Sequence, residues 1–162
     1  LIVVLEKITD EGLDALKNLF EFAAYDLSEL NSSNINEKGS YISILNCRDW
    51  YEDPNYDLFF IRVDGELAGF VIIKHLLEEE VYYLNHFFIL RKNRRNNIGK
   101  QAAIQAFKLY MGKWRVSQFD WNTPAQIFWR KVIKEFTSDQ YYEIRRKDNK
   151  GPAQEFTYCY SE

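Results

Sequence analysis

The stretch Tyr56–Leu76, YDLFFIRVDGELAGFVIIKHL, constrains the fold more than any other part of the chain. Two runs of apolar, β-branched and aromatic residues flank Asp64-Gly65, a pair whose tolerance of positive φ suits the tight turn of a β-hairpin. A hairpin in mid-chain excludes a doubly wound, all-parallel sheet. IVVLEKI near the start, EEEVYYLNHFFIL and WRVSQFDW read as further strands, and YYEIRRKDNKGPAQEFTYCY reads as a closing antiparallel hairpin. Helical spacing appears three times. Leu13, Leu16, Phe20, Ala23, Ala24 and Leu27 recur behind a cap at Thr9 or Asp10. A second helix runs from Ile98 to about Met111, with Gly112 ending it, and a third starts with Thr123 as cap and Pro124 at its first position. NSSNINEKGS is a loop, and YISILNCRDWYED holds a short helical segment before Pro54. The fold class expected is α+β: one domain over residues 1–162, with a mixed, mostly antiparallel sheet of about seven strands and helices on both faces.

Composition narrows the function. A chain of 162 residues with 17% aromatics can bury one full core. Cys47 and Cys159 lie far apart, and with only two His there is no metal-ligand spacing, so no metal is expected. Neither cysteine has a base beside it in sequence, which disfavours a nucleophile, and the usage suits a reducing, cytoplasmic compartment. The opening LIVVLEKITDEG reads as a strand rather than a signal peptide. No apolar run approaches the ~20 residues of a membrane helix.

Net charge is −3, which argues against general nucleic-acid binding. The distribution is more telling. Between Glu80 and Asp120 there is no acidic residue but eight basic ones, Arg91, Lys92, Arg94, Arg95, Lys100, Lys108, Lys113 and Arg115, which leaves −11 on the rest. A basic island in an acidic chain points to a local anion site. The island opens with FFILRKNRRNNIGKQAAIQAF, residues 87–107, in which a strand feeds a basic turn and then a helix. The first N–H groups of a helix are unpaired and partly positive, so such a turn can cradle phosphate. Gly99 permits close approach, and Ala102, Ala103 and Ala106 let the helix press on the sheet.

This turn and the order of elements resemble the GNAT superfamily of N-acetyltransferases. The family signature, Gln/Arg-x-x-Gly-x-Gly/Ala after a bulged strand, is matched by Arg94-Arg95-Asn96-Asn97-Ile98-Gly99. Asn97 replaces the first Gly, and Asn is the non-Gly residue that best tolerates a left-handed backbone. Downstream, Asn122, Ala125, Phe128-Trp129 and Lys131 match the family's Asn, Ala and Phe-Tyr pattern. The resemblance implies acetyl-CoA as co-substrate, its pyrophosphate held by N–H groups from Arg95 to Lys100. It implies a pantetheine arm paired with the strand around Phe88, Ile89 and Leu90, where strands four and five splay. Asn122, Phe128 and Trp129 then complete the cofactor site.

Acetyl transfer requires a deprotonated amine, a polarised thioester carbonyl and a protonated leaving thiolate. The resemblance assigns the carbonyl to a backbone N–H of Phe88 or Ile89. It puts Trp129 where a Tyr acid is common, and indole cannot give up its proton near pH 7. His86 is the titratable candidate for the base on the fourth strand, with Tyr83 and Asn85 available for a water relay. The acids and aromatics of RDWYEDPNYD fall where the family builds its acceptor pocket. The expected function is N-acetyl transfer from acetyl-CoA to a primary amine of a small molecule or peptide, by direct attack in a ternary complex. The alternative is a catalytically weak or inactive acyl-CoA-binding module. Neither nucleic acid nor membrane is an expected partner, and the apolar termini can pair within the sheet or across a homodimer.

Overall fold

Asp64 and Gly65 do close a hairpin, with φ of 50° and 86°. It joins β2 (Tyr56–Val63) to β3 (Glu66–Leu76) in the middle of a seven-stranded mixed sheet. The other strands are β1 (Val3–Lys7), β4 (Val81–Ile89), β5 (Gly112–Ser117), β6 (Tyr142–Arg145) and β7 (Pro152–Tyr158). Their order is β1-β2-β3-β4-β5-β7-β6, and every neighbouring pair is antiparallel except β4 and β5. The helices are α1 (Leu13–Asn31), α2 (Cys47–Glu52), α3 (Ile98–Phe107) and α4 (Thr123–Phe136). The computed structural model describes residues 1–42 and 46–160. The expected short helix is α2, capped by Asn46; residues 43–45 of the segment that suggested it lie outside the described residues.

Helix ends shift for reasons of tertiary contact. α3 stops at Phe107, short of Met111. The Tyr110 ring stacks on Tyr82 at 4.6 Å, its hydroxyl donates to Asp57 at 2.6 Å, and its carbonyl accepts from the Trp114 indole at 3.0 Å. These contacts hold Tyr110 in a turn, and Gly112, with φ of 133°, opens β5 instead of closing a helix. α1 is preceded by one 3-10 turn over Asp10–Gly12, so Gly12 rather than Thr9 or Asp10 precedes its first residue. Asn122, not Thr123, caps α4: its side chain accepts from the Ala125 N–H at 3.2 Å, and Pro124 follows in the first turn. The fifth strand ends at Ser117, not Trp121. The apolar termini pair inside the sheet, β1 with β2 and β7 between β5 and β6.

Two cores back the sheet. α3 and α4 cover one face with Ala102, Ala103, Ala106, Phe107, Val132 and Ile133, against Ile73, Leu84 and Trp114. α1 and α2 cover the other with Leu16, Phe20 and Cys47, against Phe60, Phe70, Ile72 and Phe88. Among the described residues, no helix is long and apolar enough to cross a membrane.

Two irregularities in β4 position the site. First, β4 meets β5 only at Val81, Tyr82 and Tyr83, so from Leu84 onward the two strands splay apart. Second, the β3–β4 register shifts, with Ile72 opposite His86 and Ile73 opposite Leu84, which makes Asn85 the extra residue of a β-bulge. The bulge resets the alternation, so Phe87 packs towards α4 while His86 and Phe88 pack towards α1 and α2.

Candidate active site

The turn after β4 is the first part of the site. Arg95 has φ of 76° and Asn97 has φ of 59°, so two left-handed residues alternate with ordinary ones just before α3. Alternation of that kind aims successive N–H groups into one concavity. The first bond into the helix is from the Gln101 N–H to the Asn97 carbonyl at 2.9 Å. The six main-chain N–H groups from Arg95 to Lys100 donate to no described residue. Unengaged N–H donors at a helix start are suited to an anion.

The second part is the edge of β4. The Leu90 N–H donates to the Ala68 carbonyl at 2.7 Å, and Ile89 lies opposite Gly69. That pattern makes Ile89–Gly69 a non-hydrogen-bonded pair, so the N–H and C=O of Ile89 point away from β3. The same phase turns the N–H and C=O of Phe87 outwards, into the gap left by β5. Phe88 and Leu90, by contrast, direct their main chains at β3. The edge of β4 thus offers Phe87 and Ile89, whereas the sequence suggested Phe88, Ile89 and Leu90.

Cradle and edge meet in a cavity of about 740 Å³, a size suited to an extended organic ligand. Phe87, Phe88 and Ile89 form one wall, Arg94, Arg95, Asn97, Gly99 and Lys100 the floor, and Asn122, Phe128 and Trp129 of α4 the far side. Gly99 leaves room for the Phe128 ring, since a Cβ there would sit 3.1 Å from its Cζ. Trp129 is buried, edge-to-face with Phe87 at 4.9 Å and with Phe128 at 4.8 Å. Asn96, Ile98 and Leu90 do not line the cavity, and the side chain of Ile98, the first residue of α3, is buried in the core.

α1 supplies a wall that sequence reasoning missed, through Ala23, Asp26, Leu27 and Leu30. Those residues read as an ordinary amphipathic helix, and only tertiary packing brings them to the cradle. They also change the charge picture. Arg91 and Arg94 both bond Asp26 at 2.7 Å, Lys100 bonds Glu135 at 2.7 Å, Arg115 bonds Glu79 at 3.1 Å, and Lys113 pairs with Glu155 at 3.1 Å. The basic island is therefore largely paired, and Arg95 and Lys131 are the cavity cations with no ion-pair partner among the described residues.

His86 and Tyr83 lie outside the cavity lining. His86 is packed against Phe20 of α1 at 5.2 Å and Trp50 of α2 at 5.3 Å. Burial there pushes its pKa down to about 4, so the imidazole is neutral at pH 7 and a weaker base than an ordinary histidine. Tyr83 reaches across the last paired rung of β4 and β5, and its hydroxyl bonds the Ser117 hydroxyl. Asn85 is the bulge residue.

A model of the acetyltransferase (GNAT) family matches residues 21–133, from mid-α1 to the last turn of α4. The chain belongs to the GNAT acetyltransferase family. The match spans the cradle, the splayed strand and α4 together. A search of curated proteins finds no match. Solved structures share the GNAT fold at low identity. An acetyltransferase from Thermus thermophilus is 15% identical with a TM-score of 0.72, covering 98% of each chain. The PaiA N-acetyltransferase from Thermoplasma acidophilum, solved in complex with coenzyme A, is 16% identical with a TM-score of 0.68, covering 98% of this chain and 100% of that one. The ribosomal-protein-S18-alanine N-acetyltransferase from Escherichia coli is 13% identical with a TM-score of 0.56, covering 99% and 97%.

Proposed function

We propose that the protein transfers an acetyl group from acetyl-CoA to a primary amine, by direct attack in a ternary complex. The observation that carries this reading is the run of six unengaged N–H groups, Arg95 to Lys100, at the foot of a splayed strand edge. The residues present fit the cofactor: donors for a pyrophosphate, and outward main-chain groups for an amide-bearing arm, namely the Ile89 N–H and the N–H and C=O of Phe87. Acetyl-CoA supplies the activated acetyl thioester. The N–H of Phe87 or Ile89 polarises the thioester carbonyl, as a fixed donor in a low-dielectric cleft. Phe87, Phe128 and Trp129 exclude water at that end of the cavity. Attack by the amine forms the C–N bond and breaks the C–S bond, and a water positioned by Tyr83, which Ser117 holds where the strands part, passes the proton lost by the amine to the leaving thiolate. His86 stays neutral and stiffens the wall beside it. The acceptor is a peptide or small-molecule amine, which attacks the thioester directly with no covalent enzyme intermediate.

The second reading is a weak or inactive acyl-CoA-binding module. It is favoured by the cavity's division of labour. The titratable residues lining it include Asp26, Arg95, Lys100 and Glu135, whereas Phe87, Phe128 and Trp129 at the other end supply, among the described residues, no proton donor to a thiolate. Thiol release from acetyl-CoA with a panel of primary amines separates the two. Amine-dependent release that Tyr83→Phe lowers at least tenfold supports catalysis. Binding without release for every amine supports the module.

A further inference from the structure

Asp26 is an acidic residue in the wall of an anion-binding cavity. A carboxylate there opposes phosphate binding and neutralises two arginines that could have served it. Its geometry is nevertheless tight. One oxygen accepts from Arg91 Nε at 2.7 Å and the other from Arg94 Nη2 at 2.7 Å, and the side chain is only 21% exposed. Burial raises its pKa, but the bonds from Arg94 and Arg91 outweigh that and hold the carboxyl below its ordinary range. The same Arg94 donates through Nε to the Ile89 carbonyl at 3.0 Å and lies 5.8 Å from the centre of the Phe88 ring. One guanidinium thus ties α1, the turn and the end of β4 together.

The carbonyl it occupies faces the gap beside β4. Of the four outward main-chain groups there, Ile89 C=O is taken, leaving Ile89 N–H and both groups of Phe87. We propose that Asp26 is a positioning residue: by locking Arg94 on the Ile89 carbonyl, it fixes which β4 groups the amide arm of coenzyme A can pair with, and so fixes the register of that arm. This rests on the acetyl-CoA reading. The strength comes from shared geometry, because bonds at two points, to Asp26 and to the Ile89 carbonyl, fix the plane of the Arg94 guanidinium.

Two probes, coenzyme A and adenosine 3′,5′-bisphosphate, test it by calorimetry on wild type, Asp26→Asn and Arg94→Lys, each checked for folding by circular dichroism. The bisphosphate has phosphates but no amide arm. Asp26→Asn is expected to weaken coenzyme A about tenfold, the worth of one charged hydrogen bond. The same change removes a negative charge from the wall, so the bisphosphate binds as well as before or tighter. Arg94→Lys, which keeps the charge but cannot bridge Asp26 and Ile89 with one planar group, gives the same weakening of coenzyme A. Unchanged coenzyme A binding by Asp26→Asn overturns the proposal, and so does equal weakening of both probes, the mark of general cleft damage. Failure of the wild type to bind coenzyme A overturns the acetyl-CoA reading itself, which is distinguishable because the variants then have nothing to lose.

Discussion

Asn97 carries the strain of the cradle. Its φ of 59° is the conformation a glycine would take freely, and asparagine is the L residue that bears it best. Asn97→Ala is expected to destabilise the fold by roughly 1 kcal/mol, because alanine has a Cβ and no polar side chain to favour the left-handed region. Asn97→Gly is expected to stay within about 0.5 kcal/mol of wild type, relief of strain being offset by a freer unfolded chain. Urea denaturation of the three proteins checks this, and an alanine variant as stable as wild type would contradict it. The positive φ at Asn97 was legible in sequence from the match to a glycine. That at Arg95, φ 76°, was not, since arginine carries no turn signature and is held there by the turn around it.

The elements around His86 bring packing and titration together. α1 presents Phe20 and α2 presents Trp50, and the β4 bulge turns the imidazole between them. Periodicity alone gave the strand, but a bulge has no period, so the environment of His86 was legible only in the fold. Its folded pKa of about 4 lies below the ordinary 6.5, so between those values the unfolded chain binds a proton that the folded one refuses. Stability therefore falls as pH drops from about 6.5 towards about 4, by on the order of 2–3 kcal/mol in total. Unfolding free energies at pH 7 and pH 5 should show a loss in wild type that His86→Leu largely lacks. Equal losses in both would mean that the imidazole is not shielded. The same comparison explains the shifted ends of α3 and α4. Gly112 and Thr123 are good local signals, but Tyr110 and Asn122 have the tertiary or capping bonds that decide the boundary.

For the molecule as a whole, the sequence made the sheet, its hairpins and the turn that opens α3 legible because each rests on local chemistry: a turn pair, an alternation, a helix start. The cavity's α1 wall and the pairing of the basic island were not, because Asp26 and Glu135 lie distant in sequence from Arg94 and Lys100. The central claim is that coenzyme A sits on the cradle. Gly99→Trp tests it most directly, since any side chain at that position meets Phe128 and an indole fills the cavity floor. Calorimetric titration of coenzyme A is expected to give dissociation constants in the range of about 1–100 μM for wild type, about 5–8 kcal/mol of binding free energy, and no measurable heat for a folded Gly99→Trp. Equal binding by the two proteins would put the ligand elsewhere, and no binding by wild type would leave an acetyltransferase fold without its cofactor.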